Sequence, residues 1–197
     1  MTAPLILASG SAIRAKILTD VGVDFDVVRP NVDESALKAA AQDRDTGLED
    51  LAVELAEAKA LAVPAPGAFV IGSDQILEHE GLAYDKPATM DEACARLKRL
   101  SGSRHTLING VAVAQDGRIV FRSCERPALY MRLLSDRDIE RYAQEAGPAI
   151  LTSVGAYQVE RFGGRLFERI DGDYFAVLGL ALFPLLAFLR RVDALAY

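Results

Sequence analysis

Tryptophan is absent from the 197 residues, and cysteine and histidine appear only twice each. Cys94 and Cys124 fit no CxxC spacing and no disulfide framework, so two reduced, partly buried thiols are expected. His79 and His105 lack a companion at metal-ligand or triad spacing and are read as structural or exposed. Basic residues are in deficit. Twenty-two lysines and arginines face 28 acidic residues, a net charge of -6, and they form no stripe that could track a polyanion. That balance argues against nucleic acid as a partner. The uncharged stretch Ala176 to Leu189 is interrupted by Gly179 and Pro184 and falls short of the roughly 20 residues of a membrane span. It reads as a core strand followed by a core helix, so no membrane partner is expected. Met1 to Leu7 has neither a charged n-region nor a long apolar h-region, so a cytoplasmic location is expected. No Walker lysine motif, GxGxxG, HExxH or GxSxG occurs, and neither does an internal repeat or a low-complexity linker.

What is present is the balance of a globular chain, 51% hydrophobic and 25% charged, of a length that suits one domain over residues 1–197. Leu5-Ile6-Leu7-Ala8 is an unbroken apolar run ending in Ser9-Gly10-Ser11, after which Ile13, Ile17, Leu18 and Val21 recur at helical spacing. The opening unit is therefore strand, Ser/Gly turn, helix. Phe25 to Arg29 predicts a second strand, and a polar connector, mobile or helical, runs from Asn31 to about Thr46. Leu48, Leu51, Ala52, Leu55, Ala58 and Ala62 mark a helix stopped by Pro64-Ala65-Pro66-Gly67. Ala68 to Ile71 is a buried strand leading into Gly72-Ser73-Asp74-Gln75, with a hairpin around Gly81 beyond it. Thr89 with Glu92, and Ser135 with Asp138, open two further helices. Asp116-Gly117 turns a hairpin, and Leu166 to Ile170 and Tyr174 to Leu178 flank a turn at Asp171-Gly172-Asp173. This order predicts an α/β fold with a mixed sheet and helical cover.

Several residues are suited to phosphate chemistry. Ser9-Gly10-Ser11 places two hydroxyls and free helix-terminal amides where an anion would sit, and Arg14 in the first turn adds a charge-assisted fork. Asp74 is expected to emerge where a buried strand leaves the sheet, able to hold a divalent ion or orient a water. Glu34 is a second carboxylate, and Lys59 and Lys86 are compact cations for a polyphosphate. Gln75 and Glu160 could read the edge of a base. Each of these has an ordinary alternative as a cap, turn or surface charge.

Taken together, these segments resemble the Maf family of nucleoside triphosphate pyrophosphatases over nearly the whole chain. Leu7-Ala8-Ser9-Gly10-Ser11 with Arg14 looks like the family's LASxSxxR motif, Val32-Asp33-Glu34 like its acidic motif and Glu57-Ala58-Lys59-Ala60 like its helix lysine motif. Ile71-Gly72-Ser73-Asp74 matches the catalytic aspartate motif and Lys86-Pro87 the lysine-proline pair. Ser101-Gly102 with His105 and Asn109-Gly110-Val111-Ala112 is similar to the stretch SGxxHxxxTGVA, and Gly155-Ala156-Tyr157 and Gly172-Asp173 through Gly179-Leu180 resemble the closing motifs. The resemblance implies a mixed, largely antiparallel twisted sheet with helical cover and a phosphate-binding cleft, and hydrolysis of the α-β phosphate bond of a nucleoside triphosphate with a divalent cation, Mg2+ or Mn2+. Asp74 would accept the proton of the attacking water, and Ser9, Ser11, Arg14, Lys59 and Lys86 would bind phosphates. Glu34 and Asp74 would help place the metal. Family dimers make a homodimer an expected assembly.

One branch of the family acts on dTTP and UTP, another on 7-methyl-GTP. Gln75, Glu160 and the run Leu166-Phe167-Glu168-Arg169 resemble the second. The chain departs from it at Ile13, where that branch has tryptophan, at Ala12 and Ala15, where the family has proline and a second arginine, and at Ala181, where GLPL has proline. The expected substrate is 7-methyl-GTP or another modified nucleotide. The alternatives are a dTTP/UTP pyrophosphatase and a non-catalytic nucleotide-binding regulator of cell division.

Overall fold

Residues 3–195 are described by a computed structural model, in which the chain divides into two compact units. The first comprises the chain up to Gln75, Asn109–Glu125 and the segment from Gly179 onward; the second comprises Ile76–Ile108 and Arg126–Leu178. Both are mixed α/β, and antiparallel pairings outnumber parallel ones among the described strands.

In the first unit the apolar run β1 (Leu5–Ala8) pairs in parallel with β2 (Asp26–Val28) on one side and with the start of β3 (Phe69–His79) on the other. The helix α1 (Ala12–Asp20) connects β1 to β2, the polar connector resolves into α2 (Glu34–Asp43), and the helix expected after it is α3 (Leu48–Leu61). Asp33 starts α2 by accepting the Ala36 N–H at 3.0 Å, the satisfied orphan amide that makes a helix of an otherwise polar segment. β5 (Arg104–Gln115) and β6 (Arg118–Glu125) form the expected hairpin; Asp116 and Gly117 both have positive φ, as a tight two-residue turn requires. α7 (Leu182–Arg191) contributes Phe188, which stacks on Phe121 and meets Phe69 edge-on.

Two glycines determine how α3 meets the sheet. A Cβ on Gly72 would lie 2.1 Å from the Ala56 carbonyl oxygen, and one on Gly110 would lie 2.3 Å from that of Ala52. Ala52, Ala56 and Ala60 recur four residues apart on the buried face of α3, so helix backbone rests directly on strand backbone. Lys59 belongs to that same buried face.

The second unit holds the end of β3, its hairpin partner β4 (Leu82–Tyr84), α4 (Met90–Leu100), β7 (Ala128–Met131), α5 (Asp136–Ala146), two 3-10 turns, β8 (Phe167–Asp171) and α6 (Tyr174–Leu178). Its core gathers Leu77, Leu97, Leu100, Leu107, Leu129, Ile139 and Ile150. Both predicted caps form. Thr89 accepts the Glu92 N–H, and Ser135 with Asp138 makes a complete capping box.

Two expectations are corrected. Tyr174 to Leu178 is a helical turn, not extended chain, because the Asp173 carboxylate accepts the N–H groups of Phe175 and Ala176 and nucleates it; Ala176 to Leu189 therefore contains α6 and α7 and no strand. Asp74 does not mark the end of a strand. β3 continues to His79, and only its parallel pairing with β1 stops, at Gly72 opposite Ala8.

Candidate functional site

Three charged side chains converge in the first unit. Lys59 Nζ donates to Asp74 Oδ1 at 2.5 Å and pairs with Glu34 Oε1 at 2.9 Å. The side chains of Lys59 and Asp74 are each only 11% exposed, so this is a largely desolvated pair, whereas Glu34 reaches it from the wetter side at 44%. Each partner arrives by its own local logic: Glu34 as the first residue of α2, Lys59 in the last turn of α3, where the helix dipole favours a cation, and Asp74 from the middle of β3. Asp74 Oδ2 makes no hydrogen bond among the described residues.

The loop after β1 is built around Ser9, whose hydroxyl accepts the Ser11 N–H at 3.1 Å and an Arg14 Nη1–H at 3.4 Å. Ser11 stands at the N-cap of α1 but its side chain makes no capping bond, so the common reading of a serine at this place, a mere cap, does not apply. Arg14 is turned inward. Its Nε donates to the Gly179 carbonyl and its Nη1 to the Ser73 carbonyl, both at 2.7 Å. The Nη2 group makes no hydrogen bond among the described residues. Desolvation pulls the guanidinium below its ordinary pKa, while the negative fields of Asp74 and Glu34 oppose that pull. Ser9, Arg14, Glu34, Lys59 and Asp74 are thus linked by hydrogen bonds, ion pairs or shared fields, and the part-buried Ser11 and Ile13 stand on the same loop and first helical turn.

Sequence reasoning did not assign a role to the uncharged groups behind Asp74. Asn109 Nδ2 donates to the Asp74 carbonyl at 3.0 Å and lies 3.4 Å from Ser73 Oγ, and its Oδ1 accepts the Ala181 N–H at 2.6 Å. Ser73 Oγ in turn donates to the Gly179 carbonyl at 3.0 Å. The one available signal was an amide inside the apolar run Leu107-Ile108-Asn109-Gly110-Val111, since a fully buried amide must find partners.

The remaining predicted residues lie elsewhere in the chain. Gln75, half-buried, ends the first unit's share of β3. Lys86 and Glu160 belong to the second unit and are exposed, Lys86 between β4 and α4 and Glu160 just before the 3-10 turn Phe162–Leu166. Burial raises the phenol pKa values of Tyr142 and Tyr174, and the charge of Glu160 raises both further, which places Glu160 near two tyrosines. His79 and His105 are both buried. Ser103 Oγ meets His79 Nε2 at 3.0 Å, and His105 Nε2 meets the Tyr157 hydroxyl at 2.7 Å, so both histidines are structural.

Among the described residues no cluster of three or more His, Cys, Asp or Glu side chains could enclose a metal, and no helix is long and apolar enough to cross a membrane. Glu34 and Asp74 nevertheless suit a hard divalent cation, because an ion such as Mg2+ commonly takes only one or two protein carboxylates and completes its shell with water and substrate phosphate.

The model of the family described as "Maf-like protein" matches residues 4–192. A protein of Caulobacter vibrioides named nucleoside triphosphate pyrophosphatase is 46% identical over 194 residues, 98% of this chain and 97% of its own length. One of Bradyrhizobium diazoefficiens with the same name is 44% identical over 195 residues, 98% and 96% of the two chains. A protein of Mesorhizobium japonicum named 7-methyl-GTP pyrophosphatase is 44% identical over 197 residues, 99% of each. With near-complete coverage at such identity, and with the serine loop, the acidic helix start, the helix lysine and the strand aspartate gathered as described, the chain belongs to the Maf-like protein family.

Proposed function

We propose that this protein is a nucleoside triphosphate pyrophosphatase that hydrolyses the bond between the α- and β-phosphates, releasing a nucleoside monophosphate and pyrophosphate. The convergence of Glu34 and Asp74 on the Lys59 ammonium, with Arg14 under the field of both carboxylates, carries this reading. Asp74 is assigned the proton of the attacking water through Oδ2, while Lys59 holds Oδ1. Ser9, Ser11 and the Nη2 edge of Arg14 grip phosphate oxygens together with the uncapped amides of α1, and Lys59 and Lys86 supply point charges. Glu34 and Asp74 would hold Mg2+ or Mn2+, which when bound supplies neutralisation of phosphate charge. The chain itself contributes position and a fixed field, the larger share of catalysis in phosphoryl chemistry.

For the base, Glu160 favours a guanine-type edge, because a carboxylate accepts from the N1 and N2 hydrogens that thymine and uracil do not offer together. Gln75 sits directly after the proposed base on β3, and Ile13 leaves an aliphatic surface in place of an aromatic one. A 7-methylated guanine nucleotide is the proposed substrate, with UTP and dTTP as the second reading. The test is pyrophosphate release from 7-methyl-GTP, GTP, UTP and dTTP with Mg2+ or Mn2+, for the wild type and Asp74→Asn. The expected result is a preference for 7-methyl-GTP and a loss of at least 100-fold in the variant, on the order of what a positioned acid-base group supplies. Full activity in Asp74→Asn would show that the proton goes elsewhere. Preference for UTP would overturn the base assignment and leave the reaction standing.

A further inference from the structure

We propose that Asn109 is the positioning residue for Asp74, acting through the peptide backbone on either side of that carboxylate. This inference rests on the assignment of Asp74 as the water-activating base. An aspartate side chain has two rotatable bonds, so where its oxygens lie follows closely from the orientation of its Cα. Two consecutive carbonyls flank that Cα. The Ser73 carbonyl is held by Arg14 Nη1 at 2.7 Å and the Asp74 carbonyl by Asn109 Nδ2 at 3.0 Å. Parallel pairing of β3 with β1 has already ended at Gly72. Beyond that register Arg14 holds the Ser73 carbonyl, while Asn109 reaches the Asp74 carbonyl from β5, the neighbour of β3 on the side away from β1.

Asn109 is completely buried, and each end of its amide has work. Oδ1 accepts the Ala181 N–H at 2.6 Å, and Nδ2 faces both the Asp74 carbonyl and Ser73 Oγ. The partners fix the amide's orientation without ambiguity, because only oxygen can accept from Ala181 and only nitrogen can donate to Asp74. The Gly179 carbonyl then receives both Ser73 Oγ and Arg14 Nε, which closes a ring through Arg14, Ser73, Asn109 and the Gly179–Ala181 segment. The N–H of Ala181 is what completes this ring, and a proline at position 181 would lack it.

Two variants test the assignment. Asn109→Asp keeps the shape and the acceptor for Ala181 and removes the donor to the Asp74 carbonyl; Asn109→Leu keeps the approximate volume without adding charge. The measurements are kcat and KM for pyrophosphate release, thermal midpoint, and the backbone 13C chemical shift of the Asp74 carbonyl at fixed pH without substrate. The expected result for both is a fall in kcat of at least 30-fold with KM within threefold, since Arg14 keeps both of its carbonyl acceptors, and a displaced Asp74 carbonyl shift. Unchanged kcat with a lowered thermal midpoint alone would overturn the proposal and leave Asn109 a core amide. If one variant fails to fold, the other decides. If the wild type releases no pyrophosphate from any triphosphate, the reading of Asp74 as a base fails separately, and the Asp74 carbonyl shift decides whether Asn109 sets its position: an unmoved shift overturns the inference.

Discussion

Adding a single methyl group at Gly72 tests whether the close approach of α3 to β3 builds the charged cluster. The Cβ of Gly72→Ala would stand 2.1 Å from the Ala56 carbonyl oxygen, 2.7 Å from the Ala60 nitrogen and 3.1 Å from the Ala60 Cβ. The first two are backbone atoms that no rotamer change can clear. Ordinary carbon-to-oxygen contacts begin at about 3.3 Å, so the helix must retreat by about 1 Å. Overpacking of this kind costs about 1–3 kcal/mol, and with rigid backbone on both sides the upper end applies. For a chain of this size that is a fall of roughly 5–10 °C in thermal midpoint. Lys59 stands three residues after Ala56 and Asp74 two residues after Gly72, so the retreat opens the 2.5 Å contact between them. A displacement of about 1 Å costs on the order of 100-fold in rate where positioning dominates. The assays are thermal unfolding by circular dichroism and kcat for pyrophosphate release. Gly47→Ala is the control, because a Cβ there meets nothing within 4 Å and the backbone has an ordinary φ of -62°. A Gly72→Ala protein with a midpoint within about 2 °C and kcat within about threefold of wild type would refute the argument that glycine is what lets Lys59 reach Asp74.

Further outcomes follow from the same contacts. Lys59→Met strands the Asp74 carboxylate in a mostly buried position and is expected to cost about 3 kcal/mol in urea unfolding, and Asp74→Asn added to it should recover part of that loss; a double variant no more stable than Lys59→Met alone would contradict the ion pair. Arg14→Lys cannot serve both the Gly179 and Ser73 carbonyls with one fork, so a loss of about 1–3 kcal/mol is expected, and unchanged stability would deny the clamp. Burial drives His105 down to about 3 from 6.5, and its electrostatic interactions with His79 and Arg104 act in the same direction. The unfolded chain therefore takes up a proton in a range where the folded one does not. Stability from this group is complete above pH 6.5 and is lost as pH falls toward 3, at a slope approaching about 1.4 kcal/mol per pH unit. The difference in unfolding free energy between wild type and His105→Phe, followed from about pH 7 to about pH 5, should shrink by about 2 kcal/mol; a flat difference would place His105 in contact with water.

Much of the local structure was legible because its causes are local. The apolar run Leu5 to Ala8, the Ser/Gly turn and the first helix follow from periodicity and helix-start chemistry, and so do the Asp116-Gly117 hairpin and both capping signals. Lys59 falls four residues after Leu55 and eight after Leu51, and the structure places it on the buried face of α3 where the sequence left a surface charge open. Short apolar segments were harder to read. Tyr174 to Leu178 suits a strand or a helical turn equally by periodicity, and the Asp173 side chain decides in favour of the helix. The polar stretch that becomes α2 depended likewise on one cap at Asp33.

From the sequence alone came the charged residue types of the site and the helices that carry Arg14 and Lys59, because charge and helix periodicity are written in nearby residues. Only the tertiary structure decided which carboxylates share the Lys59 ammonium, that Arg14 is clamped on two carbonyls, and that Asn109 backs Asp74. These contacts join residues 15 to 165 positions apart, and no periodicity of one segment records the partner supplied by another. The glycines at 72 and 110 show the same limit: each is an ordinary letter in a strand until the backbone of α3 lies against it.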